Sequence, residues 1–404
     1  MKRVDVLVVG GGIAGVGIAQ FAAADGYSVA LIERQRIGEA TSGNSSKLIH
    51  GGLRYLETMQ LDLVRKSLKE RRALLRLAPS LVKAVPFYFP VYRNSRRGAL
   101  TIRAGLSLYG LLSEFDALGR FKTLSQTQWS RLQGLNSSGL EAVFQYWDAQ
   151  TDDRLLCEAV AHSATLLGAD VFEWAEVGHI EHSGDACQVS FTQHGLQHEI
   201  QASVVINACG PWVNQLLERV TPGVSALEID WVQGAHLLLD IPPVDGVLYL
   251  ESPIDQRVVF VMPWYGKTLV GTTETRLAHL DNKPVVTEAE KRYLLALYAH
   301  YFPNAGGVDE LEKKVTDTFC GVRVLPRSGG DAFHAPRDTL MHTCRSHPRL
   351  LSLYGGKLTT FRSSAAEVLG WVRAQLGERT AIADVDKLPL SRPVNRDDFM
   401  AQTG

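Results

Sequence analysis

Val4-Asp5-Val6-Leu7-Val8-Val9 runs directly into Gly10-Gly11-Gly12-Ile13-Ala14-Gly15, and the reading of this stretch decides the fold. Its first half is β-branched and almost wholly apolar, the composition of a parallel strand buried on both faces. Its second half satisfies G-x-G-x-x-G. The first glycine makes a tight turn, the second lets the backbone approach a pyrophosphate, and the third permits close packing of helix on strand. Ile13, Ala14, Ile18, Ala19 and Ala22 then mark a helix with small residues toward the sheet, its N-terminus facing the phosphates. Tyr27–Ile32 reads as a second strand ending at Glu33, about twenty residues on, where a carboxylate accepts from ribose hydroxyls. Strand, turn, helix and acid in that order specify a Rossmann-like domain. The acid selects a ribose diol over a 2′-phosphate, which excludes NADP more than it chooses between FAD and NAD.

Working outward, residues 38–54 form a glycine- and serine-rich connection. A helix is predicted from about Gln60 to Ala78, with Leu61, Val64, Leu68 and Leu75 on one face and Pro79 as its stop. Residues 148–170 read as a helix leading into a strand at Asp170–Trp174. Segments 188–193 and 197–207 read as an antiparallel excursion that returns to the sheet at Val204-Val205-Ile206. Residues 257–263 and 267–273 are apolar strands joined by Trp264-Tyr265-Gly266, a hairpin signal. A helix follows near 287–302. The chain then returns to the first domain through Leu350–Tyr354, the turn Gly355-Gly356, and a helix from about Thr360 to Leu376. The expected fold is therefore α/β: a dinucleotide-binding domain with a central, mainly parallel sheet, plus an antiparallel-sheet substrate domain. The boundaries read as 1–80 and 148–212 for the two parts of the first domain, closed by 346–380. Residues 81–147 read as a connecting, substrate-side segment and 213–345 as the second domain. The tail, 381–404, shows no periodic pattern and reads as loose.

The chain of 404 residues is long enough for two domains. Lys plus Arg number 42 against 43 Asp plus Glu, so no global field favours nucleic acid, and no nucleic-acid partner is expected. The five cysteines lie far apart without metal-ligand or redox spacing, which points to a reducing compartment, the cytoplasm. No apolar run approaches the ~18 residues of a spanning helix, and the N-terminus lacks a signal-peptide pattern. No H-E-x-x-H motif is present and no metal site is expected. Without a G-x-S-x-G elbow or a Walker pattern, hydrolase and NTPase readings lack a carrier.

Three further stretches carry a resemblance: Ala40–Leu56, where Ser45–Leu56 is the specific part, Val205–Trp212, and Gly355-Gly356-Lys357-Leu358-Thr359-Thr360. With the glycine turn, they make the chain similar to the FAD-dependent glycerol-3-phosphate dehydrogenases, within the D-amino-acid-oxidase-like flavoproteins. The resemblance runs from about Val4 to Leu376. It implies FAD as cofactor, with Gly10, Gly12, Gly15 and Glu33 on its dinucleotide. Thr41, Ser42, Ser46, Lys47 and Leu48 would line the flavin, and Gly210, Trp212, Gly356, Lys357, Leu358 and Thr359 would complete the site.

A phosphate monoester substrate calls for several cations, ideally Arg in bidentate geometry. The residues matching the family pattern are Arg54, Arg337 and Lys357, with Tyr55 adding a hydroxyl. Taken singly, each Arg reads as an ordinary ion pair. Three cations on separate glycine-rich loops favour a phosphorylated polyol over a hydroxy acid, which needs only one. Arg323, in Gly321-Val322-Arg323, matches the family arginine beside the substrate hydroxyl and would polarise a developing alkoxide. His50 is the first candidate for general base, since its unperturbed pKa lies near working pH, and Glu274 is the second.

Residues 93–122 place Arg93, Arg96, Arg97, Arg103, Arg120 and Lys122 around Leu106, Leu108, Tyr109, Leu111, Leu112, Phe115 and Leu118. Two readings stay open: an in-plane membrane helix giving peripheral contact with the inner face of the cytoplasmic membrane, or a core-facing helix with a solvated basic end. The resemblance tilts toward the first, because such dehydrogenases pass electrons to a quinone. Three departures stand out. Typical bacterial members continue into a helical C-terminal domain where this sequence stops at Gly404; Val324 stands where proline is common; and Thr339 stands where tyrosine is frequent. The expected activity is oxidation of sn-glycerol 3-phosphate to dihydroxyacetone phosphate, with a quinone or other acceptor reoxidising the flavin. A related oxidase of another 2-hydroxy acid or amine, and a flavin-binding sensor without turnover, are the competing readings. Oligomeric state is left open.

Overall fold

Strand Lys2–Val9 runs up the middle of a nine-stranded sheet in the computed structural model, which describes residues 1–114, 116–281, 283–327 and 339–391. On one side it pairs in parallel with Val29–Ile32, in register Val6 to Val29, and Asp170–Phe172 extends that edge. On the other it pairs in parallel with Leu196–Asn207, in register Val8 to Ile206. That long strand is shared. Its first half takes the antiparallel strand Ala186–Gln193, and its last residues take the parallel strand His347–Tyr354.

Alternation along these strands builds a core on each face. Val6, Val8, Val204 and Ile206 point toward the helices Ile13–Ala24, Asp153–Leu166 and Phe361–Leu376, meeting Val16, Leu156, Val160, Phe361 and Val368. Leu7, Val9 and Val205 point the other way, onto the antiparallel strands Ala175–Ser183 and Ala186–Gln193 and onto Leu216 and Leu217. Each fully buried Val, Leu or Phe contributes roughly 1.5–3 kcal/mol.

A second sheet of ten strands, among the described residues, stands beside the first. Its order is Thr275–Leu277, Ile229–Leu239, Lys267–Gly271, Val258–Trp264, Val247–Glu251, Val82–Tyr92, Leu140–Thr151, Leu48–Ile49. Val315–Pro326 also pairs with Ile229–Leu239, and Lys122–Thr123 with Leu140–Thr151. One pairing breaks the antiparallel expectation: Val247–Glu251 runs parallel to Val82–Tyr92. Helix Glu288–Tyr301 covers one face, burying Leu294, Leu295 and Leu297, while helices Leu61–Leu77 and Ala99–Leu112 cover the other.

Three expectations need revision. Segment 81–147 supplies the long paired strands Val82–Tyr92 and Leu140–Thr151 and so belongs to the second sheet; a connector would not carry that ladder. Strand Leu340–Cys344 already pairs with His347–Tyr354, so the return to the first sheet precedes residue 346. The start of the tail is docked: Ile382 and Ala383 donate to the Ala24 carbonyl, Leu390 donates to the Leu77 carbonyl, and the Leu390 side chain is buried. Without periodicity to show it, only these long-range contacts reveal that order.

In the 93–122 region, helix Ala99–Leu112 buries Ile102, Leu106, Tyr109 and Leu112 in the core and leaves Leu100, Arg103 and Leu111 exposed. Phe115 lies outside the described residues. No helix among the described residues is long and apolar enough to cross a membrane.

Candidate active site

A cavity of about 820 Å³ opens at the carboxyl ends of Lys2–Val9 and Val29–Ile32 and reaches across to the second sheet. At the first-sheet end, Gly10 holds φ +108°, and a Cβ there would stand 2.5 Å from the Ala208 carbonyl oxygen. A Cβ on Gly15 would stand 1.9 Å from the Gly10 carbonyl oxygen, so Gly15 supports the turn from behind and does not line the cavity. Gly12 has extended backbone, precedes the helix, and faces only the Ser42 hydroxyl, 3.0 Å from where its Cβ would be. A ligand can therefore approach the main chain closely here.

Glu33 lines this end with its carboxylate already engaged. It accepts from the Gly11 amide at 2.6 Å and the Gln35 amide at 2.7 Å. Burial raises its pKa, and the two amides oppose that shift. The Arg34 guanidinium lies 5.0 Å over the Trp212 ring, and both line the cavity beside Gly210. The Trp212 indole N–H is buried with no hydrogen-bond acceptor among the described residues. A buried donor on a cavity wall fits a ligand acceptor.

Thr41, Ser42, Ser46 and Leu48 line the middle, as do Gly356, Lys357, Leu358 and Thr359. The Thr41 hydroxyl donates to the Val322 carbonyl at 2.7 Å, and Ser42 Oγ accepts from the Ile13 amide at 2.9 Å. Lys47 is the exception. Its ammonium turns away from the cavity and donates to Asp153 at 2.7 Å and to the Gly43 carbonyl at 2.6 Å, over the Phe319 ring at 4.6 Å. A buried charge needs such partners, and they lie inside the protein. Asp153 also accepts from the Ser45 amide and hydroxyl, at 2.9 and 2.6 Å. This pair holds Lys47 at φ +60° and fixes the turn that presents Ser46.

At the second-sheet end, His50, Tyr55, Glu274, Arg323 and Lys357 share the same wall. Glu274 Oε1 lies 3.3 Å from Arg323 and 3.7 Å from Arg54, so one carboxylate ties two of the expected cations together. The Lys357 ammonium lies 3.8 Å above the Tyr55 ring. Arg54 reaches this cluster through Glu274, and Arg337 lies outside the described residues. Val324 is buried against Val213, Ile229 and Tyr354, and the Thr339 hydroxyl meets Ser364 at 2.7 Å.

Two residues of this wall escaped the sequence reading. His236, 2% exposed, stacks on Phe319 at 4.8 Å, and its Nε2 lies 3.0 Å from Ser46 Oγ. Burial pushes its pKa down to about 3, helped by Lys47 and Arg323, so the ring is neutral. Arg257 donates to the Glu274 carbonyl at 2.7 Å and pairs with Asp255. A polar residue inside the apolar run Ala235–Leu239 was the available signal for His236; Arg257 gave none. Among the described residues no group of three or more His, Cys, Asp or Glu is arranged to hold a metal.

The glycine cradle, the cavity's volume and the unsatisfied Trp212 donor suit a dinucleotide. Comparison with known proteins agrees. The family model described as FAD dependent oxidoreductase matches residues 5–362. The glycerol-3-phosphate dehydrogenase of Synechocystis is 35% identical, covering 92% of this chain and 70% of that protein. The Pseudomonas aeruginosa protein of that name is 37% identical over 90% of this chain and 70% of its own. The aerobic glycerol-3-phosphate dehydrogenase of Escherichia coli is 34% identical over 91% and 73%. Among solved structures, the glycerol-3-phosphate dehydrogenase of Bacillus halodurans complexed with FAD shares the fold, with a TM-score of 0.76 at 24% identity over 96% of this chain and 68% of that one. Glycine oxidase from Geobacillus kaustophilus does so at 0.72 and 19%, over 98% and 100%. The chain belongs to the FAD-dependent oxidoreductases, in the family of the glycerol-3-phosphate dehydrogenases.

Proposed function

We propose that this chain oxidises sn-glycerol 3-phosphate to dihydroxyacetone phosphate with FAD as its cofactor. The observation that carries the reading is a single cavity joining the Gly10–Gly15 turn at one end to His50 and the Arg54–Glu274–Arg323 cluster at the other. When bound, FAD would supply the electron sink for the substrate's hydride. The protein supplies position and charge. Lys357, Arg54, Tyr55 and Arg337 hold the phosphate, with charge-assisted hydrogen bonds that a neutral substrate would not repay. Arg323 stabilises the alkoxide as it develops, and His50 takes the hydroxyl proton. Glu274, between two guanidinium groups, orients Arg54 and Arg323 rather than serving as the base.

Anaerobic mixing of the purified flavoprotein with a panel of hydroxy-phosphates, hydroxy acids and amines tests this. Glycerol 3-phosphate should bleach the flavin fastest. Faster bleaching by a hydroxy acid or amine would favour the alternative oxidase reading, and no bleaching by any would favour a sensor.

Electrons leaving the flavin pass to a quinone or other acceptor in this proposal. The exposed Leu100, Arg103 and Leu111 of helix Ala99–Leu112 would give peripheral contact with the cytoplasmic membrane face. Sedimentation with anionic vesicles, lost on Leu100→Ser with Leu111→Ser, tests that contact.

A further inference from the structure

One residue past His50, the backbone is held by a buried charged network that does not line the cavity. The Gly51 amide donates to the Tyr109 hydroxyl at 2.9 Å and to Asp148 Oδ1 at 3.3 Å. The Tyr109 hydroxyl donates to Asp148 Oδ2 at 2.7 Å. Arg71 donates to Asp148 Oδ1 at 2.6 Å and to the Trp147 carbonyl at 3.0 Å. Tyr109, Asp148 and Arg71 are each 1% exposed or less, and they come from helix Ala99–Leu112, strand Leu140–Thr151 and helix Leu61–Leu77.

Stability alone does not explain such a network. A buried ion pair is often no better than a well-packed apolar replacement of the same volume. What it supplies is one defined position for the group it binds. Burial and the Asp148 carboxylate push the Tyr109 phenol well above its ordinary pKa, so it keeps its proton and donates it to Asp148. Burial works against the Arg71 charge, and Asp148, together with Tyr109 and Asp116, more than restores it.

The held segment has little freedom. A Cβ on Gly51 would stand 2.3 Å from the Tyr109 hydroxyl and 2.5 Å from Leu68. Gly52 turns at φ +77° into the short helix Leu53–Leu56, which carries Arg54 and Tyr55. The fixed amide is therefore one residue from His50 and three from Arg54.

We propose that Tyr109, Asp148 and Arg71 are positioning residues that pin the Gly51 amide and thereby set where His50, Arg54 and Tyr55 meet the substrate. A misplacement of about 1 Å costs on the order of 10²-fold in rate. The kinetic part rests on the proposed glycerol 3-phosphate activity; the backbone part does not.

Tyr109→Phe removes only the hydroxyl. In the holoprotein it should keep its FAD, and amide exchange across residues 49–53 should accelerate about tenfold or more while the Gly10–Gly15 turn is unchanged. Flavin reduction at saturating glycerol 3-phosphate should fall about tenfold or more. Asp148→Asn, which keeps the shape and removes the charge, carries the same expectations. Leu106→Ala, on the same helix and in the same core, should lower Tm without either effect. Unchanged exchange and reduction in both Tyr109→Phe and Asp148→Asn would overturn the proposal. So would losses in Leu106→Ala that match theirs, since the network would then act only through stability. If glycerol 3-phosphate does not reduce the wild-type flavin, the functional reading falls while the exchange arm still judges the pin.

Discussion

Lowering the pH from 7 to 5 drives a proton toward His236, which the fold gives no place for it. In the unfolded chain that imidazole titrates near 6.5; in the fold, burial with the nearby Lys47 and Arg323 pushes it down to about 3. The folded pKa is depressed, so the unfolded chain binds the proton first. The stability from keeping His236 neutral is thus fully present above about pH 6.5 and is lost as pH falls toward 3. Between pH 7 and 5 the unfolded chain gains about 2 kcal/mol from this group while the folded chain gains almost nothing. His236→Gln cannot take the proton. It should be less stable at pH 7, because the ring's contact with Phe319 is lost. The gap between the two proteins should then narrow by about 2 kcal/mol at pH 5. Guanidinium unfolding of both holoproteins, followed by circular dichroism at the two pH values, measures the gap. A gap that stays constant would refute the assignment of a neutral, desolvated His236.

Three further outcomes are expected. Gly12→Val should yield colourless protein, because its side chain would occupy the space through which the pyrophosphate meets the main chain; retained FAD absorbance would count against the cradle. Arg54→Ala and Lys357→Ala should each lower kcat/KM for glycerol 3-phosphate about tenfold or more, the effect of about 1.5–3 kcal/mol of lost charge-assisted binding, and unchanged values would remove the phosphate assignment. His50→Gln should keep FAD, slow flavin reduction about 10²-fold, and abolish the acid limb of the pH profile, whereas Arg323→Ala should slow reduction with the profile's shape intact. Rapid-reaction measurements across pH separate the two, and an acid limb surviving in His50→Gln would move the proton to another group.

What could be read from the sequence was what is local in it. The glycine turn, its strand and helix, and Glu33 lie within one short segment, and each carries a backbone requirement that few other residues satisfy. His50, Arg54 and Tyr55 sit in one continuous motif. The direction of the Lys47 side chain was not legible, because its partner Asp153 lies 106 residues away and draws the ammonium inward. His236 was missed for the same reason, since its meaning depends on Ser46 and Phe319. The strands of 81–147 gave no domain signal, because a strand's sheet is decided by partners such as Val247–Glu251 that it meets only in the fold. Tyr109 looked like one more apolar position on a helix, and its hydroxyl's role shows only in the fold, where it accepts from the Gly51 amide and donates to Asp148.

The shared strand Leu196–Asn207 has a consequence for the order of events during synthesis. Its last residues stay unpaired on one side until His347–Tyr354 arrives, and the cavity wall at Gly355–Phe361 follows immediately. At ~5–20 residues per second, roughly 15–60 seconds separate emergence of His50 from emergence of Phe361. Through that interval the nascent first domain presents an open sheet edge, the kind of edge that invites pairing with a neighbour. The cavity is thus closed by a segment about 340 residues beyond the turn that opens it, and cannot be complete until that segment has been made.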